Sequence, residues 1–111
     1  MALCARTRVV ITRLWRGWTA RENAGLYETF LLTELFPAMR QIQGFRNADV
    51  LRRSDGDEVA FVTLTRFDSL DAIRAFAGEQ YEVPVLEPRA LELLSRFDDR
   101  AYHFDTASFT A

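Results

Sequence analysis

The chain has 111 residues, of which 49% are hydrophobic and 13% aromatic, so it can form one domain with one core and is unlike a disordered chain. Its 14 basic and 16 acidic residues are interspersed and sum to a net charge of −2, which excludes the continuous basic surface that nucleic-acid binding needs. The single cysteine, Cys4, and the single histidine, His103, exclude an intrachain disulfide, a cysteine zinc cage and a two-histidine metal motif.

No stretch near the amino terminus has the length of a secretory signal, and no apolar run is long enough to span a membrane. We therefore expect a cytoplasmic protein with no membrane partner. One domain over residues 1–111 is predicted, with its core at about 9–106 and a loose tail at 107–111.

The first predicted elements are a strand and a helix. Alternating side chains predict a strand over Val9–Trp15, which Gly17 is expected to end. Thr19 and Glu22 then form a Ser/Thr-x-x-Glu capping box. This pattern predicts a helix that begins near Ala20.

The predicted helix and the strand after it each contain residues that disfavour that type of secondary structure. Pro37 is expected to kink or interrupt the helix, because proline has no N–H to donate. The second strand is predicted over Phe45–Arg53, but Asn47 and Asp49 are poor strand formers. We therefore place it at a sheet edge or beside a bulge, joined to the next strand by an antiparallel hairpin with Asp55-Gly56 at its turn.

The stretch 57–78 predicts a central strand that passes directly into a helix. One face of the strand carries Val59, Phe61, Thr63, Thr65 and Phe67. Asp68 is predicted to cap the helix with Asp71 completing a capping box, and Gly78 to end it. A helix that follows so tightly is expected to pack back on the same sheet.

The carboxyl-terminal part predicts one short helix and one strand. Pro88 suits the first turn of a helix with Leu91, Leu94 and Phe97 on one side. Arg100–Thr106 is predicted to be the last strand, which carries His103.

The order of elements is β-α-β-β-α-β with a short extra helix. Right-handed crossovers turn this order into an α+β ferredoxin-like fold, an antiparallel sheet with helices on one side. The other side would then carry Val10, Leu14, Val62, Leu64, Tyr102 and Phe104. Because so apolar a sheet face needs a cover, we predict a homodimer whose subunits meet through these faces.

Segments along nearly the whole chain resemble the antibiotic biosynthesis monooxygenase family, most closely a bacterial branch of it. They are Arg13–Trp18 (RLWRGW), Gly44–Ala48 (GFRNA), Leu51–Arg53 (LRR), Gly56–Val59 (GDEV), Phe67–Ala72 (FDSLDA), Phe76–Gly78 (FAG) with Tyr81, and Leu94–Asp98 (LSRFD) followed by His103. The resemblance implies a dimeric α+β barrel. Family members include cofactor-free oxygenases of polyketide aromatics, haem-degrading enzymes, quinol oxygenases and domains without a known reaction.

This chain lacks some of the residues that the family's known branches use, and these differences narrow the reactions that it could catalyse. The haem-degrading branch uses an Asn on the first strand, a Trp at the end of the third and a His on the following helical segment. Here the first strand has no matching Asn, Phe67 holds the Trp position and His103 is at the other end of the chain, so we reject haem degradation. The polyketide-oxygenase branch uses Asn, Trp, Tyr and Arg; Trp15, Tyr81 and Arg13 could serve similarly without matching residue by residue.

The resemblance implies a pocket within each subunit, between the sheet and its helices. Its floor would be Ile11, Arg13 and Trp15 with Phe61, Thr63, Thr65 and Phe67. Such an apolar, aromatic cleft suits a flat hydrophobic ligand, and the alternative is that these side chains simply form the core. Tyr81 is either a lid residue or a packing residue.

Two residues are candidates for catalysis. His103 can exchange a proton near neutrality and would be the general base, and the alternative is a structural histidine bonded to Asp105 or a backbone carbonyl. Arg13, a charge on an apolar strand face, would steady an enolate. Its alternatives are an ion pair with Glu34 or exposure to solvent.

The sequence therefore predicts a cofactor-independent monooxygenase-like enzyme acting on a small aromatic or quinol-like substrate, with no metal. Its partners would be a small hydrophobic ligand and a second copy of itself. The alternative is a non-catalytic dimeric barrel that binds a small apolar metabolite.

Overall fold

The computed structural model describes residues 10–111, so Cys4 and the predicted strand start at Val9 lie outside the described residues. The strands are β1 (Val10–Ala20), β2 (Phe45–Asp55), β3 (Glu58–Phe67), β4 (Leu94–Phe97) and β5 (Tyr102–Thr106). The α-helices are α1 (Ala24–Phe30), α2 (Phe36–Met39), α3 (Leu70–Ala77) and α4 (Pro88–Leu93).

All strand pairs in the sheet are antiparallel. The order is β2-β3-β1, and the free edge of β1 pairs with β4 through Gly17–Thr19 and with β5 through Val10–Leu14. Together β4 and β5 occupy the place of a single last strand, broken at residues 98–101. The arrangement is the predicted ferredoxin-like fold.

The first strand is longer than predicted, and two local signals were wrong. Gly17 does not end β1; a Cβ added there would meet the Leu94 side chain at 3.0 Å, so glycine lets β4 approach closely. Thr19 is not a helix cap, because it pairs with Val59 inside the sheet, and Ala20 precedes the helix without a side-chain cap.

The first helical region is interrupted just before Pro37, as predicted. A 3₁₀ turn at Arg21–Asn23 leads into α1, and a π-turn at Leu31–Leu35 separates α1 from α2. The Phe36 N–H bonds the Leu31 carbonyl, five residues back. Proline has no N–H for the usual bond four residues back, and a π-turn is a common way to accommodate such a gap.

The second strand confirms the predicted edge position and the predicted bulge. β2 pairs with β3 alone, and its register shifts between Phe45 and Asn47. The hairpin is confirmed too, but its loop is Gly56-Asp57, and among the described residues only glycines have positive φ, with Gly56 at +63°. Asp55 remains in the strand opposite Glu58.

The later elements differ from prediction at their ends. The cap of α3 is Ser69, whose Oγ accepts the Ala72 N–H at 3.1 Å, and Asp68 is therefore not the cap. Gly78 ends the helix with φ of +89°, as predicted. Pro88 begins α4, but Leu94 and Phe97 belong to β4 and not to the helix, because they pair with β1.

The sheet has one face under the helices and one face that the described residues leave open. The helix-side face carries the core, including Ile11, Phe61 and Phe67. The other, which we call the outer face, carries Val10, Leu14, Leu51, Val62, Leu64, Tyr102 and Phe104. Tyr102, Phe104 and Leu51 are 55%, 52% and 49% exposed. The apolar residues predicted for this face do lie on it, together with the charged residues Arg16, Asp49, Arg53 and Arg66.

A buried hydroxyl in β1 gives a first test of the packing. Thr19 is fully buried, and its Oγ1 is the one enclosed side-chain polar atom of the described chain without a hydrogen-bond partner. We expect Thr19→Val to raise the free energy of unfolding by about 1 kcal/mol, because valine keeps the shape and removes an unpaired polar atom. Urea denaturation measures the change.

Thr12→Val is the matched control on the same strand. The Thr12 hydroxyl bonds the Thr106 hydroxyl at 2.5 Å, so this variant should lose stability. A loss of stability in both variants would contradict the packing described for Thr19.

Candidate active site

The floor of the site consists of two cross-strand pairs on the helix-side face. Arg13 of β1 lies opposite Thr65 of β3, and Trp15 lies opposite Thr63. The alternation of β1 and β3 brings all four side chains to one face, as predicted, and all four line a cavity beneath the helices.

The walls and roof of the cavity are almost entirely apolar. They come from α1, the π-turn, α2, α3, α4 and the segment before α4. The lining side chains are Tyr27, Phe30, Leu31, Leu35, Phe36, Met39, Phe76, Pro84, Val85, Glu87 and Ala90. The helix from Ala24 to Met39 therefore closes the space from one side, and residues 84–90 close it from the other.

The cavity is narrow. It measures about 510 Å³ when its open mouth is included, but only about 40 Å³ can take the centre of a water molecule. That is room for about three waters. A fused aromatic ring system can therefore enter only when a wall moves outward. The wall with the fewest regular bonds is the segment 78–87, which contains no helix or strand.

Arg13 is the charged group of the floor, and it is 5% exposed. Nη1 donates to the Tyr81 carbonyl and contacts His103 Nε2 at 3.1 Å, while Nη2 donates to the Val83 carbonyl at 3.3 Å. No carboxylate among the described residues pairs with it, and Glu34 is exposed on the π-turn, so ion pairing with Glu34 and exposure of Arg13 are both excluded.

The protonation states follow from these contacts. Burial lowers the pKa of Arg13 to about 10, so the guanidinium remains charged at neutral pH. Burial, and then the Arg13 charge, lower the pKa of His103, and the Glu82 carboxylate opposes them in part. Because the guanidinium can only donate, a neutral His103 accepts its hydrogen bond at Nε2 and carries its own proton on Nδ1.

His103 pairs with Arg13 across β5 and β1 but does not line the cavity. It lies in a shallow depression on the far side of Arg13, next to Tyr102 and Ala101. The Tyr81 ring packs edge-on against the imidazole at 5.1 Å between centroids. The imidazole partner is therefore Arg13, and no hydrogen bond among the described residues joins the ring to Asp105 or to a backbone carbonyl.

Four of the residues predicted for the pocket do not line the cavity. Ile11, Phe61 and Phe67 lie within the core. Tyr81 contributes its carbonyl to Arg13, and its ring contacts His103 and Arg74. Trp15 does line the cavity, with its indole N–H donated to the Asp98 carbonyl at 2.7 Å, so it offers a ligand a flat apolar surface and no donor.

Tyr27 is a lining residue that the sequence analysis missed. It is 1% exposed, and burial raises the pKa of its hydroxyl well above the usual range, so it is a neutral donor. Its ring packs edge-on against Phe61 at 4.9 Å between centroids. The available signal was a hydroxyl within the apolar stripe of a helix, where side chains usually belong to the core.

Two kinds of feature are absent from the described residues. No helix among residues 10–111 is long and apolar enough to cross a membrane. Within the same residues, no three His, Cys, Asp or Glu side chains come together as a group that could hold a metal ion.

The structure is similar over nearly its whole length to solved monooxygenase structures. A provisionally assigned antibiotic biosynthesis monooxygenase of Bacillus cereus aligns with a TM-score of 0.63 and 12% identity, covering 93% of this chain and 98% of that one. The cofactor-independent oxygenase SnoaB of Streptomyces nogalater aligns with a TM-score of 0.56 and 26% identity, covering 92% and 96%.

A third similar structure contains a ligand. The monooxygenase ActVA-Orf6 of Streptomyces coelicolor, in complex with nanaomycin D, aligns with a TM-score of 0.58 and 15% identity, covering 94% of this chain and 93% of that one. No protein-family profile and no curated protein sequence matches this chain. At these identities the similarity is one of fold, and it agrees with the resemblance seen in the sequence.

Proposed function

We propose that this chain, which has the fold of the antibiotic biosynthesis monooxygenases, oxygenates a small aromatic phenol or quinol in the cavity above Arg13 without a cofactor. The observation that carries the proposal is a buried guanidinium, without a carboxylate partner among the described residues, that opens on a cavity lined mostly by apolar side chains, with Glu87 as the other charged lining residue. A buried charge is expensive unless it is paired, so an acidic oxygen of a ligand is a suitable partner.

The hydrogen bonds of Arg13 leave room for such a ligand. A guanidinium has five N–H groups, and three of those of Arg13 are directed to Tyr81, Val83 and His103. The other two, on Nε and Nη2, have no partner among the described residues. These remaining donors can hold a phenolate or enolate oxygen, and the fixed positive charge favours the anion over the neutral form.

The proposed reaction uses dioxygen as its oxidant. Loss of a proton from an anthrone gives an enolate with its oxygen on Arg13. The electron pair of the carbanion reduces dioxygen, the carbon–oxygen bond forms, and the resulting hydroperoxide loses water to leave a carbonyl. One oxygen atom ends on carbon and the other leaves as water. Exclusion of water by the apolar walls strengthens the contact with Arg13.

His103 is the proposed proton acceptor, since its lowered pKa keeps it neutral at pH 7. Its position sets a condition on that role. Nε2 accepts from Arg13 and does not face the cavity, so it can receive the substrate proton only after its hydrogen bond to Arg13 breaks. Movement of the segment whose Tyr81 and Val83 carbonyls hold the guanidinium would free Arg13 to shift, and it would also widen the cavity for an aromatic ring system.

The alternative is a non-catalytic protein that binds a small apolar metabolite. The observation that favours it is the position of His103, which leaves the cavity lining without a group that titrates near neutrality. Both alternatives predict binding of aromatic ligands. Only the enzyme predicts oxygen consumption.

Oxygen uptake with 1,8-dihydroxyanthrone and 1,4-naphthohydroquinone tests the enzyme, after the uncatalysed rate is subtracted. We expect a rate that is constant near pH 7 and falls as the pH drops through the lowered pKa of His103, because protonation removes the acceptor. His103→Gln should lower the rate by about 10²–10⁴-fold and abolish the acidic limb. Uptake unchanged in His103→Gln would refute the base, and no uptake from either substrate would favour the binding protein.

We also propose that a second copy of the chain covers the outer face. The support is the exposure of Leu51, Tyr102 and Phe104 on one sheet surface, together with the half-buried Leu14 and Leu64 between them. A contiguous apolar surface of this kind is rare on a monomer. A two-fold pair covers it with the same residues from both copies, and each copy keeps its own cavity beneath the helices.

A further inference from the structure

Tyr27 has an unusual environment for a buried tyrosine. Its ring contacts Phe30 and Phe61, but no described residue gives its hydroxyl a hydrogen bond. The hydroxyl is not fully enclosed, since among the described residues Thr19 Oγ1 is the one enclosed side-chain polar atom without a partner. Because Tyr27 lines the cavity, we infer that the accessible side of its hydroxyl faces that space.

Thr65 repeats this pattern at another point of the cavity. It is 6% exposed, lines the cavity, and has no hydrogen bond from its hydroxyl within residues 10–111. Its cross-strand partner is Arg13, so the two side chains are neighbours on the floor. The Thr65 hydroxyl and the two free N–H groups of Arg13 therefore form one polar end of the cavity.

The register of the sheet separates this end from Tyr27. The Tyr27 ring packs on Phe61, and Phe61 precedes Thr65 by four residues on β3, about 13 Å along the strand at roughly 3.3 Å per residue. The row between them is Trp15 with Thr63. Trp15 has already donated its indole N–H to Asp98, so the middle of the cavity presents mainly an aromatic surface. Apart from Glu87 in the segment before α4, the free polar groups of the lining are thus found towards two ends, with a mainly aromatic middle.

We propose that the cavity selects a flat aromatic ligand with oxygen functions on two opposite edges. One acidic oxygen binds to Arg13 and Thr65, and a second phenol or carbonyl oxygen binds to the Tyr27 hydroxyl. The inference rests on the proposed function and adds Tyr27 as a specificity-determining residue. A ligand with one oxygen would leave a buried hydroxyl unpaired, and a ligand with two would satisfy both ends.

Calorimetric titration under nitrogen tests this, because binding is then measured without turnover. The probes are 1,5-dihydroxynaphthalene and 1-naphthol, which differ only in the second hydroxyl. We expect the chain to bind the diol about tenfold more tightly, the effect of one buried hydrogen bond. Tyr27→Phe should abolish most of this preference and leave the affinity for 1-naphthol unchanged.

Tyr102→Phe, on the outer face, is the matched control and should retain the preference. The melting temperature of Tyr27→Phe should not fall, since the hydroxyl has no protein partner to lose. Equal weakening of both probes in Tyr27→Phe, an unchanged preference, or no preference in the unaltered chain would overturn the inference while leaving the proposed function intact. If neither probe binds, the proposed function fails and the inference fails with it.

Discussion

Replacing Arg13 with methionine should lower kcat/KM for 1,8-dihydroxyanthrone by about 10²–10³-fold, the range found when one donor to a developing oxyanion is removed. The substituted side chain keeps a similar length but loses the buried charge that favours the enolate. Arg13→Lys should retain part of the activity, because lysine keeps the charge and lacks the two-donor geometry. Initial rates of oxygen uptake measure both.

Two controls separate chemistry from folding. Arg13 also holds the carbonyls of Tyr81 and Val83, so the melting temperature of each variant must be compared with that of the unaltered chain. Arg89→Met removes an exposed arginine of α4 and should change neither rate nor stability. If Arg13→Met folds and turns over anthrone at the original rate, Arg13 does not stabilise the anion and the proposed site is wrong.

The second large effect is expected at the outer face. Leu64 lies in the middle strands of the sheet, opposite Leu14 of β1 and Asp49 of β2, so in a face-to-face pair it would be close to the centre of the interface. Leu64→Arg would bring a like charge from each copy close to the two-fold axis and remove an apolar contact from the interface. We expect it to weaken the dimer by at least about 10³-fold, and sedimentation velocity at micromolar concentration should show a monomer.

Leu91→Arg is the matched control, because Leu91 is 51% exposed on α4, on the helix side of the sheet. It should sediment like the unaltered chain. A folded monomer of the unaltered chain at micromolar concentration would remove the dimer from the proposal. The cavity beneath the helices would not be affected by that result, since its strand residues lie on the helix side of the sheet, away from the outer face.

The errors in predicting the elements have a common physical cause. Gly17 and Thr19 carry strong local signals for a strand end and a helix cap, yet both lie within β1. Their conformations are set by residues far along the chain, Leu94 against Gly17 and Val59 opposite Thr19. The same holds for Leu94, whose helical spacing is overridden by pairing with β1. Local sequence patterns compete with long-range strand pairing, and the pairing determined the secondary structure at these three positions.

In the candidate site, too, local sequence patterns predicted one part and the tertiary structure determined the rest. The parity of β1 and β3 was enough to place Arg13, Trp15, Thr63 and Thr65 on one face. It could not distinguish lining from core, and Phe61, on that same face, proved to be core. Tyr27 was missed because a hydroxyl without a partner can be recognised only when its surroundings are known.

The sequence by itself determined the order of strands and helices, the antiparallel hairpin and the two-faced character of the sheet, because each depends on side-chain alternation over a few neighbouring residues. The tertiary structure alone decided what Arg13 contacts. Its hydrogen-bond partners Tyr81, Val83 and His103 lie 68, 70 and 90 positions further along the chain. No local periodicity links residues so far apart. The closing of the segment before α4 over the sheet brings the carbonyls of Tyr81 and Val83 to the guanidinium, and the pairing of β5 with β1 places His103 on its far side.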